Sequence, residues 1–250
     1  MTGIARVIVL FLVLQWLPAQ THAQADYARE KRWAEEITPA ILVGDPVQLA
    51  LKSGRKFLAI YASNPKAAAG VIVVHGLGLH PDWGLINTLR SQLSDQGYST
   101  LSVQMPVLAS NAQGDLYPPL FPEAAERLAA AVAFLRARGL QKVAIVSHSM
   151  GSRMTNHFLN HAADPRINAW VTIGLSGEFT APTTFGAPVL DLYGEKDLPG
   201  VLDNAALRAA AIRGSRGSGQ LQVAGADHFF TGMESELVRQ VRLYLDRRLK

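Results

Sequence analysis

Short apolar runs alternate with longer amphipathic segments from residue 70 to the end of the chain. The first run, residues 71–74, is continuously apolar and β-branched, which is typical of a strand buried on both faces. The pattern predicts further strands at residues 98–103, 142–146, 169–173, 188–193 and 221–223. It predicts helices at residues 83–96, 122–138, 150–161, 200–212 and 232–249. Such alternation, with short connections, predicts an α/β fold with a mostly parallel sheet and helices on both faces.

The segment before this alternation has a different pattern. Residues 26–37 are rich in charge, which predicts a surface helix that leads into the domain. Residues 47–51 and 56–61 alternate around a Ser-Gly pair, which predicts an antiparallel hairpin at one edge of the sheet. The sequence shows no internal repeat and no linker to a second domain. We therefore interpret residues 26–46 as a lead-in segment and residues 47–250 as one domain.

Residues 1–25 differ from the rest of the chain. A single positive charge, Arg6, precedes an unbroken apolar run at residues 7–14, and small residues follow at Ala23 and Ala25. This order is that of a secretory signal peptide, so we expect cleavage near Ala23 or Ala25 and export to a periplasm or out of the cell. The apolar run is shorter than the roughly 17–25 residues that span a bilayer, so we expect no stable membrane anchor.

Composition narrows the kinds of site that the chain can build. Its 250 residues are 48% hydrophobic and 18% charged, as in an ordinary globular protein, and none is cysteine, which excludes disulfides and thiol nucleophiles. The formal net charge is +4 without a long basic run, so we predict no nucleic-acid partner. His157 and His161 lie four residues apart on a predicted helix, but no third ligand is evident. We therefore predict no metal and no cofactor.

A serine on a predicted strand-to-helix turn is the candidate nucleophile. The turn reads Ser147-His148-Ser149-Met150-Gly151. Small residues two before and two after Ser149 leave room for the strained backbone of a nucleophile at the top of a sheet. The turn also aims the N–H of Met150 at the same space, beside a helix N-terminus that favours negative charge. The alternative is a serine that only caps the helix.

An acid and a histidine follow the last two predicted strands. Asp197 and His228 come after Ser149 in the chain order Ser, acid, His, with each residue just past a strand. In that arrangement His228 takes the proton of Ser149 as general base, and Asp197 orients the imidazole. Glu195 and Asp191 are alternative acids, although strand alternation disfavours Asp191 and Glu195 comes early in the turn.

A glycine-rich turn follows the first buried strand and reads His75-Gly76-Leu77-Gly78. Its glycines let the backbone approach a substrate closely, and the Leu77 N–H would complete an oxyanion hole with that of Met150. His75 and His148 are predicted to be structural or to line the pocket. Each of these patterns alone is common by chance. The glycine-rich turn, the serine turn, the acid and the histidine, however, each follow a strand and come in this order, which indicates one site.

These residues resemble the α/β-hydrolase superfamily from about residue 47 to residue 249. The runs at residues 75–83 and 102–106 are also similar to the DUF3530 family of exported bacterial proteins. The resemblance implies the α/β-hydrolase fold and a triad of Ser149, Asp197 and His228. Ser147 departs from the pattern because it replaces the first glycine of the superfamily motif, but serine is small enough for the turn. The resemblance to DUF3530 implies no particular substrate.

Two functions are compatible with this sequence. The first is an exported serine hydrolase that cleaves an ester, or a thioester or amide, of a small-molecule acyl substrate through an acyl-enzyme on Ser149. The second is a non-catalytic envelope binding or assembly protein that retains the fold, against which the intact triad argues. The connection at residues 174–187 is too short for a helical cap domain. We expect the loop at residues 106–121 to cover part of the pocket instead.

Overall fold

The computed structural model describes residues 24–180 and 186–249. Across these residues eight strands form one sheet: β1 (Asp45–Ala50), β2 (Lys56–Ala62), β3 (Ala69–Val74), β4 (Ser99–Val103), β5 (Lys142–His148), β6 (Ala169–Ile173), β7 (Val189–Lys196) and β8 (Gly219–Asp227). The α-helices of the same residues are α1 (Tyr27–Ile37), α2 (Gly84–Asp95), α3 (Phe121–Ala137), α4 (Met150–His161), α5 (Pro199–Leu202), α6 (Ala205–Ala211) and α7 (Glu234–Leu249).

The sheet is parallel except at one edge. Its strand order is β1-β2-β4-β3-β5-β6-β7-β8, and only the pairs β1–β2 and β2–β4 are antiparallel. The register brings the carboxyl ends of neighbouring strands level, because Val74 pairs with both Val103 and Ser147, and His148 pairs with Ile173. The predicted fold class, with an antiparallel hairpin at one edge, is confirmed. The loops that follow these strand ends therefore meet on one side of the sheet.

Two hydrophobic cores cover the two faces of the sheet. Ile72 and Val74 of β3 pack in the core that contains α3 and α4, whereas Val71 and Val73 pack in the core that contains α2 and α7. All residues of β3 are buried, which explains the continuous apolar run in the sequence.

The prediction of one continuous helix at residues 200–212 is wrong. The structure has two helices there, α5 and α6. The division falls at Asp203 and Asn204. The side chain of Asn204 donates to the carbonyl of Gly200 (3.0 Å), and such side-chain bonds compete with the helical backbone.

Helix α1 is tied closely to the rest of the domain. Asp26 caps it by accepting from Arg29 N (2.9 Å), and Asp26 N donates to the carbonyl of Val107 (2.7 Å). On its buried side, Glu30 accepts from the guanidinium of Arg127 (2.9 Å), which also donates to the carbonyl of Gln104. The lead-in helix therefore packs against the segment that follows β4.

The predicted signal peptide falls almost entirely on residues 1–23, which lie outside the described residues. Within the described part of the chain, no helix is both long enough and apolar enough to cross a membrane.

Candidate active site

Ser149 lies on a sharp turn between β5 and α4. Its backbone has φ 55° and ψ −121°, a conformation that residues other than glycine rarely adopt. Hydrogen bonds hold the turn from both sides: Ser149 N donates to the carbonyl of Ile173 (2.8 Å), and Ser152 N donates to the carbonyl of Ser149 (2.9 Å). The hydroxyl thereby stands half-buried at the carboxyl edge of the sheet, the position of a nucleophile elbow.

Close packing explains two glycines near Ser149, one on the same turn and one on the turn after β3. A Cβ on Gly151 would lie 2.4 Å from the carbonyl oxygen of His75, so no larger residue fits there. A Cβ on Gly76 would lie 3.1 Å from both His148 Nδ1 and Ser149 Cβ. The turn after β3 and the turn after β5 therefore touch at Ser149.

The hydroxyl of Ser147 has a structural use. It accepts from the indole N–H of Trp170 (2.8 Å) and lies 3.1 Å from the hydroxyl of Ser152, and all three side chains are buried. A glycine in this place would remove this acceptor from the buried indole N–H. Ser147, which replaces the first glycine of the superfamily motif, therefore has polar partners in the core, Trp170 and Ser152.

The structure brings His228 and Asp197 to Ser149. The Ser149 hydroxyl lies 3.0 Å from His228 Nε2, and His228 Nδ1 lies 2.5 Å from Asp197 Oδ1. Asp197 also accepts from the backbone N–H groups of Gly194 (3.1 Å) and Leu198 (2.8 Å), which fixes the orientation of its carboxylate. Burial alone would raise the pKa of Asp197, but these hydrogen bonds and His228 hold that pKa below its usual value.

Neither alternative acid contacts His228. Glu195 is exposed in the last part of β7, and its carboxylate accepts from the backbone N–H of Gly225 (2.7 Å). Asp191 is fully buried and pairs with the guanidinium of Arg208 (2.9 Å). Asp197 is therefore the acid that can orient the imidazole.

Two backbone N–H groups lie on the turns that meet at Ser149 and are available to a ligand. Leu77 follows Gly76, which packs on Ser149, and Met150 is the first residue of α4. Neither of their N–H groups donates a hydrogen bond to another residue in the described part of the chain. Because the N-terminus of α4 favours negative charge, this arrangement can stabilise a developing oxyanion.

Comparison with known proteins agrees with this architecture. Residues 6–119 match the model of a family described as "Protein of unknown function (DUF3530)", which confirms the resemblance over just under half of the chain. No curated protein matches the sequence. Among solved structures, an esterase domain from Rhodothermus marinus superimposes with a TM-score of 0.61 at 16% identity, covering 82% of this chain and 99% of that one. The fold is that of the α/β hydrolases.

Two further solved structures with this hydrolase fold are similar. One, from Xanthomonas campestris, is described as an α/β serine hydrolase without lid; it has a TM-score of 0.59 and 16% identity and covers 83% of this chain and 95% of that one. An esterase from Pyrococcus furiosus has a TM-score of 0.61 and 14% identity, with 82% and 90% coverage. At these identities the likeness shows the fold alone.

The two histidines predicted to be structural are buried in the core of the domain. His75 Nε2 accepts from the backbone N–H of Met105 (2.9 Å), and burial lowers the pKa of His75 to about 3. His148 Nε2 donates to the carbonyl of His228 (2.9 Å), and burial, with the nearby His228, lowers the pKa of His148 to about 4. Both rings are therefore neutral at neutral pH, and His148 holds the backbone of the residue that contacts Ser149.

Sequence reasoning missed Gly174, which follows β6. Its φ is +59°, and a Cβ there would lie 2.9 Å from the ring atoms Cε1 and Nδ1 of His228. Gly174 therefore gives the imidazole its space. The signal that could have found it is its position, because a glycine directly follows the strand predicted at residues 169–173.

Sequence reasoning also missed Arg29, on α1. Its guanidinium donates to the carbonyl of Leu108 (2.7 Å) and to the carbonyl of Gly78 (3.2 Å), and it stacks on the ring of Trp33 at 4.3 Å. Gly78, with φ +64°, directly follows Leu77. Arg29 thereby connects α1 to the turn that carries one of the two available N–H groups.

His157 and His161, the pair that the sequence offered as metal ligands, both lie on α4. His157 and His161 stack on each other with ring centroids 3.9 Å apart. The residues that the structure describes contain no group of three or more histidine or acidic side chains that could hold a metal ion.

Proposed function

We propose that this protein is a serine hydrolase that cleaves carboxylic esters through an acyl-enzyme on Ser149. The observation that carries the proposal is the continuous chain of contacts from Ser149 Oγ to His228 Nε2 (3.0 Å) and from His228 Nδ1 to Asp197 Oδ1 (2.5 Å). A nucleophile, a base and an orienting group within hydrogen-bond reach are the arrangement that covalent hydrolysis requires.

In the first half of the reaction, the Ser149 oxygen attacks the ester carbonyl while its proton passes to His228 Nε2. The negative charge that develops on the carbonyl oxygen is stabilised by the N–H groups of Leu77 and Met150. The C–O bond to the alcohol then breaks, and the alcohol leaves with the proton from His228. Asp197 stabilises the imidazolium that exists between these steps.

In the second half, water attacks the acyl-enzyme and gives one proton to His228. The bond between the acyl carbon and Ser149 breaks, and that proton returns to the Ser149 oxygen. The products are a carboxylic acid and an alcohol, so one water is consumed and no cofactor takes part. The esterases and the serine hydrolase that share the fold support this reaction class.

Hydrolysis of 4-nitrophenyl butyrate tests the proposal. Wild-type protein should release 4-nitrophenol, and Ser149→Ala should lose at least about a thousandfold in kcat/KM, because without its nucleophile a triad hydrolase loses most of its rate. Ser53→Ala, at an exposed serine in the hairpin turn, is the matched control and should keep the wild-type rate. Equal rates in Ser149→Ala and wild type would overturn the proposal.

We also propose that the hydrolase is exported and cleaved near Ala23 or Ala25. The sequence of residues 1–25 supports this, as does the start of helix α1 at Tyr27, just after the cleavage positions. The intact mass of protein recovered from a periplasmic fraction should correspond to a chain that begins at or after Gln24. Recovery of the uncleaved chain from the cytoplasm alone would contradict export.

A further inference from the structure

Several exposed apolar side chains lie on the loops that follow the strands of the proposed site. Of the large hydrophobic residues that remain exposed in the described parts of the chain, several lie on loops at the carboxyl edge of the sheet: Leu77, Leu116, Leu198 and Phe229. Leu198 and Phe229 directly follow Asp197 and His228. Exposed apolar groups that gather at one site indicate a ligand with apolar surface.

The loop between β4 and α3, residues 106–120, follows the carboxyl end of β4 and contributes most of the lining of a hollow; we call it the roof loop. The hollow has a volume of about 620 Å³, within the range of small-molecule sites, and is open to solvent. Its exposed wall is mostly apolar. It is formed by residues of this loop, together with two polar residues that precede helix α1: Leu108, Ala109, Ala112, Asp115, Leu116, Pro119, Gln24 and Asp26.

The roof loop adjoins the proposed oxyanion site directly. A Cβ on Gly114 would lie 3.3 Å from Met150 Cε and 3.9 Å from Leu77 Cδ1. The loop therefore touches both residues whose N–H groups are available, and Leu116, two residues further on, lines the hollow. Arg153 of α4 also reaches the loop, donating to the carbonyl of Gly114 at 3.5 Å. A group attached to the reacting carbonyl can therefore continue from Met150 onto the roof loop.

The position of the proton donor shows whether the acyl half or the alcohol half of the ester lies towards the roof loop. The alcohol receives its proton from His228 Nε2, so it must leave on the side of His228. Within residues 24–180 and 186–249, the side chains that form a hydrogen bond or ring contact with His228 are those of Ser149, Asp197, His148 and Phe229, and none of these residues belongs to the roof loop. The acyl group therefore lies on the Met150 side, towards the hollow.

We infer that the hollow of the roof loop binds the hydrocarbon chain of the acyl group, so that the substrates are esters of aliphatic acids longer than acetic acid. This inference rests on the proposed function. Each methylene that leaves water on the hollow should raise kcat/KM by between about twofold and fourfold, depending on how completely it is covered.

The test is the rate of hydrolysis of 4-nitrophenyl acetate, butyrate, hexanoate and octanoate, each below the concentration at which it aggregates. Three variants are compared with wild type. Ala109→Trp fills the hollow from an exposed position, and Leu116→Ser removes apolar surface from its wall. Leu207→Ser, on α6, is the matched control, because Leu207 is 52% exposed and Leu116 is 54% exposed. Within each variant, the ratio of the octanoate rate to the acetate rate is the readout.

Wild type and Leu207→Ser should favour octanoate over acetate by at least about tenfold, and the ratio should fall at least fivefold in Ala109→Trp and Leu116→Ser. Turnover of acetate with no preference for longer chains in wild type would overturn the inference and leave the proposed function standing. An unchanged ratio in both hollow variants would overturn it too. Absence of turnover on every ester would overturn the proposed function, and this inference with it.

Discussion

Asp197 carries the charge of the proposed site. It is buried, and its carboxylate accepts hydrogen bonds from His228 and from two backbone N–H groups, which keep its pKa below the usual value despite burial. Asp197 is therefore ionised at neutral pH. An ionised carboxylate beside His228 Nδ1 keeps the imidazole proton on that nitrogen and leaves Nε2 free to accept the proton of Ser149.

Replacing this carboxylate should slow the reaction severely. Asp197→Asn keeps the shape of the side chain but favours the wrong tautomer of His228, and in triad hydrolases that change costs about 10⁴-fold in kcat. Glu195→Gln is the matched control, since Glu195 lies two residues away and contacts Gly225 instead of the imidazole. Its kcat should stay within about threefold of wild type. A large loss in Glu195→Gln together with near-normal activity in Asp197→Asn would show that the acid is misassigned.

At the scale of elements, helix α1 of the lead-in segment contacts the turn after β3, which carries the proposed oxyanion donor, the N–H of Leu77. Arg29 bonds the carbonyls of Gly78 and Leu108, so it links the turn after β3 to the roof loop. The ring of Trp33, under the guanidinium, lies 5.5 Å from that of His80 and adds a second contact to the same turn. We therefore regard Arg29 as a positioning residue for the N–H of Leu77.

Removal of this link should affect turnover more than binding. Arg29→Ala is expected to lower kcat by about tenfold with KM changed less than threefold, because a displaced oxyanion donor weakens only the transition state, and a whole donor is worth about 10²–10³. Arg32→Ala, an exposed arginine one turn along the same helix, is the control. Equal kinetics in the two variants, or a change in KM alone, would contradict the positioning role.

The strand and helix pattern was predictable to within a few residues, because buried parallel strands such as β3 are continuously apolar and each helix has a periodic apolar face. Asp82 shows what local patterns cannot reveal. An acid just before a helix is a common cap, but Asp82 pairs with the buried guanidinium of Arg90, and the N-terminus of α2 has no side-chain cap. The carboxylate of Asp82 thus forms an ion pair with Arg90 instead of capping the helix. A local sequence pattern does not show which of these two interactions forms.

At the scale of the whole molecule, the elbow sequence, the acid and the histidine each carry a local signal just past a strand, and the parallel topology brings such ends together. Arg29 carries no such signal. Its partners, Gly78 and Leu108, lie 49 and 79 residues away, so only the packing of α1 reveals the contact. Local chemistry is therefore visible in the sequence, whereas the support that positions it is not.

Two buried histidines should make the stability of the whole molecule depend on pH. The pKa of His75 is lowered to about 3 and that of His148 to about 4, while both regain ordinary values near 6.5 on unfolding. Below pH 6.5 the unfolded chain therefore binds more protons than the folded one. The stabilisation is complete above that pH. It is lost as the pH falls towards 4 for His148 and towards 3 for His75.

Urea unfolding at pH 7 and pH 5 measures this effect. The free energy of unfolding should fall by up to about 4 kcal/mol, because each histidine contributes up to about 1.4 kcal/mol per pH unit below its unfolded pKa. His148→Gln, whose amide can still donate to the carbonyl of His228, should lose about half of that pH dependence. The explanation fails if stability is equal at the two pH values, or if the variant keeps the full dependence.

The central claim is that Ser149 is an activated nucleophile, and covalent labelling by a fluorophosphonate tests it most directly. The serine oxygen attacks phosphorus, fluoride leaves, and the adduct stays on the residue that reacted. Mass spectrometry of the digested wild-type protein should place the label on Ser149 alone, with no label in Ser149→Ala and none after the protein is denatured in urea. A folded wild-type protein that takes up no label, or that carries it on another serine, would contradict the claim.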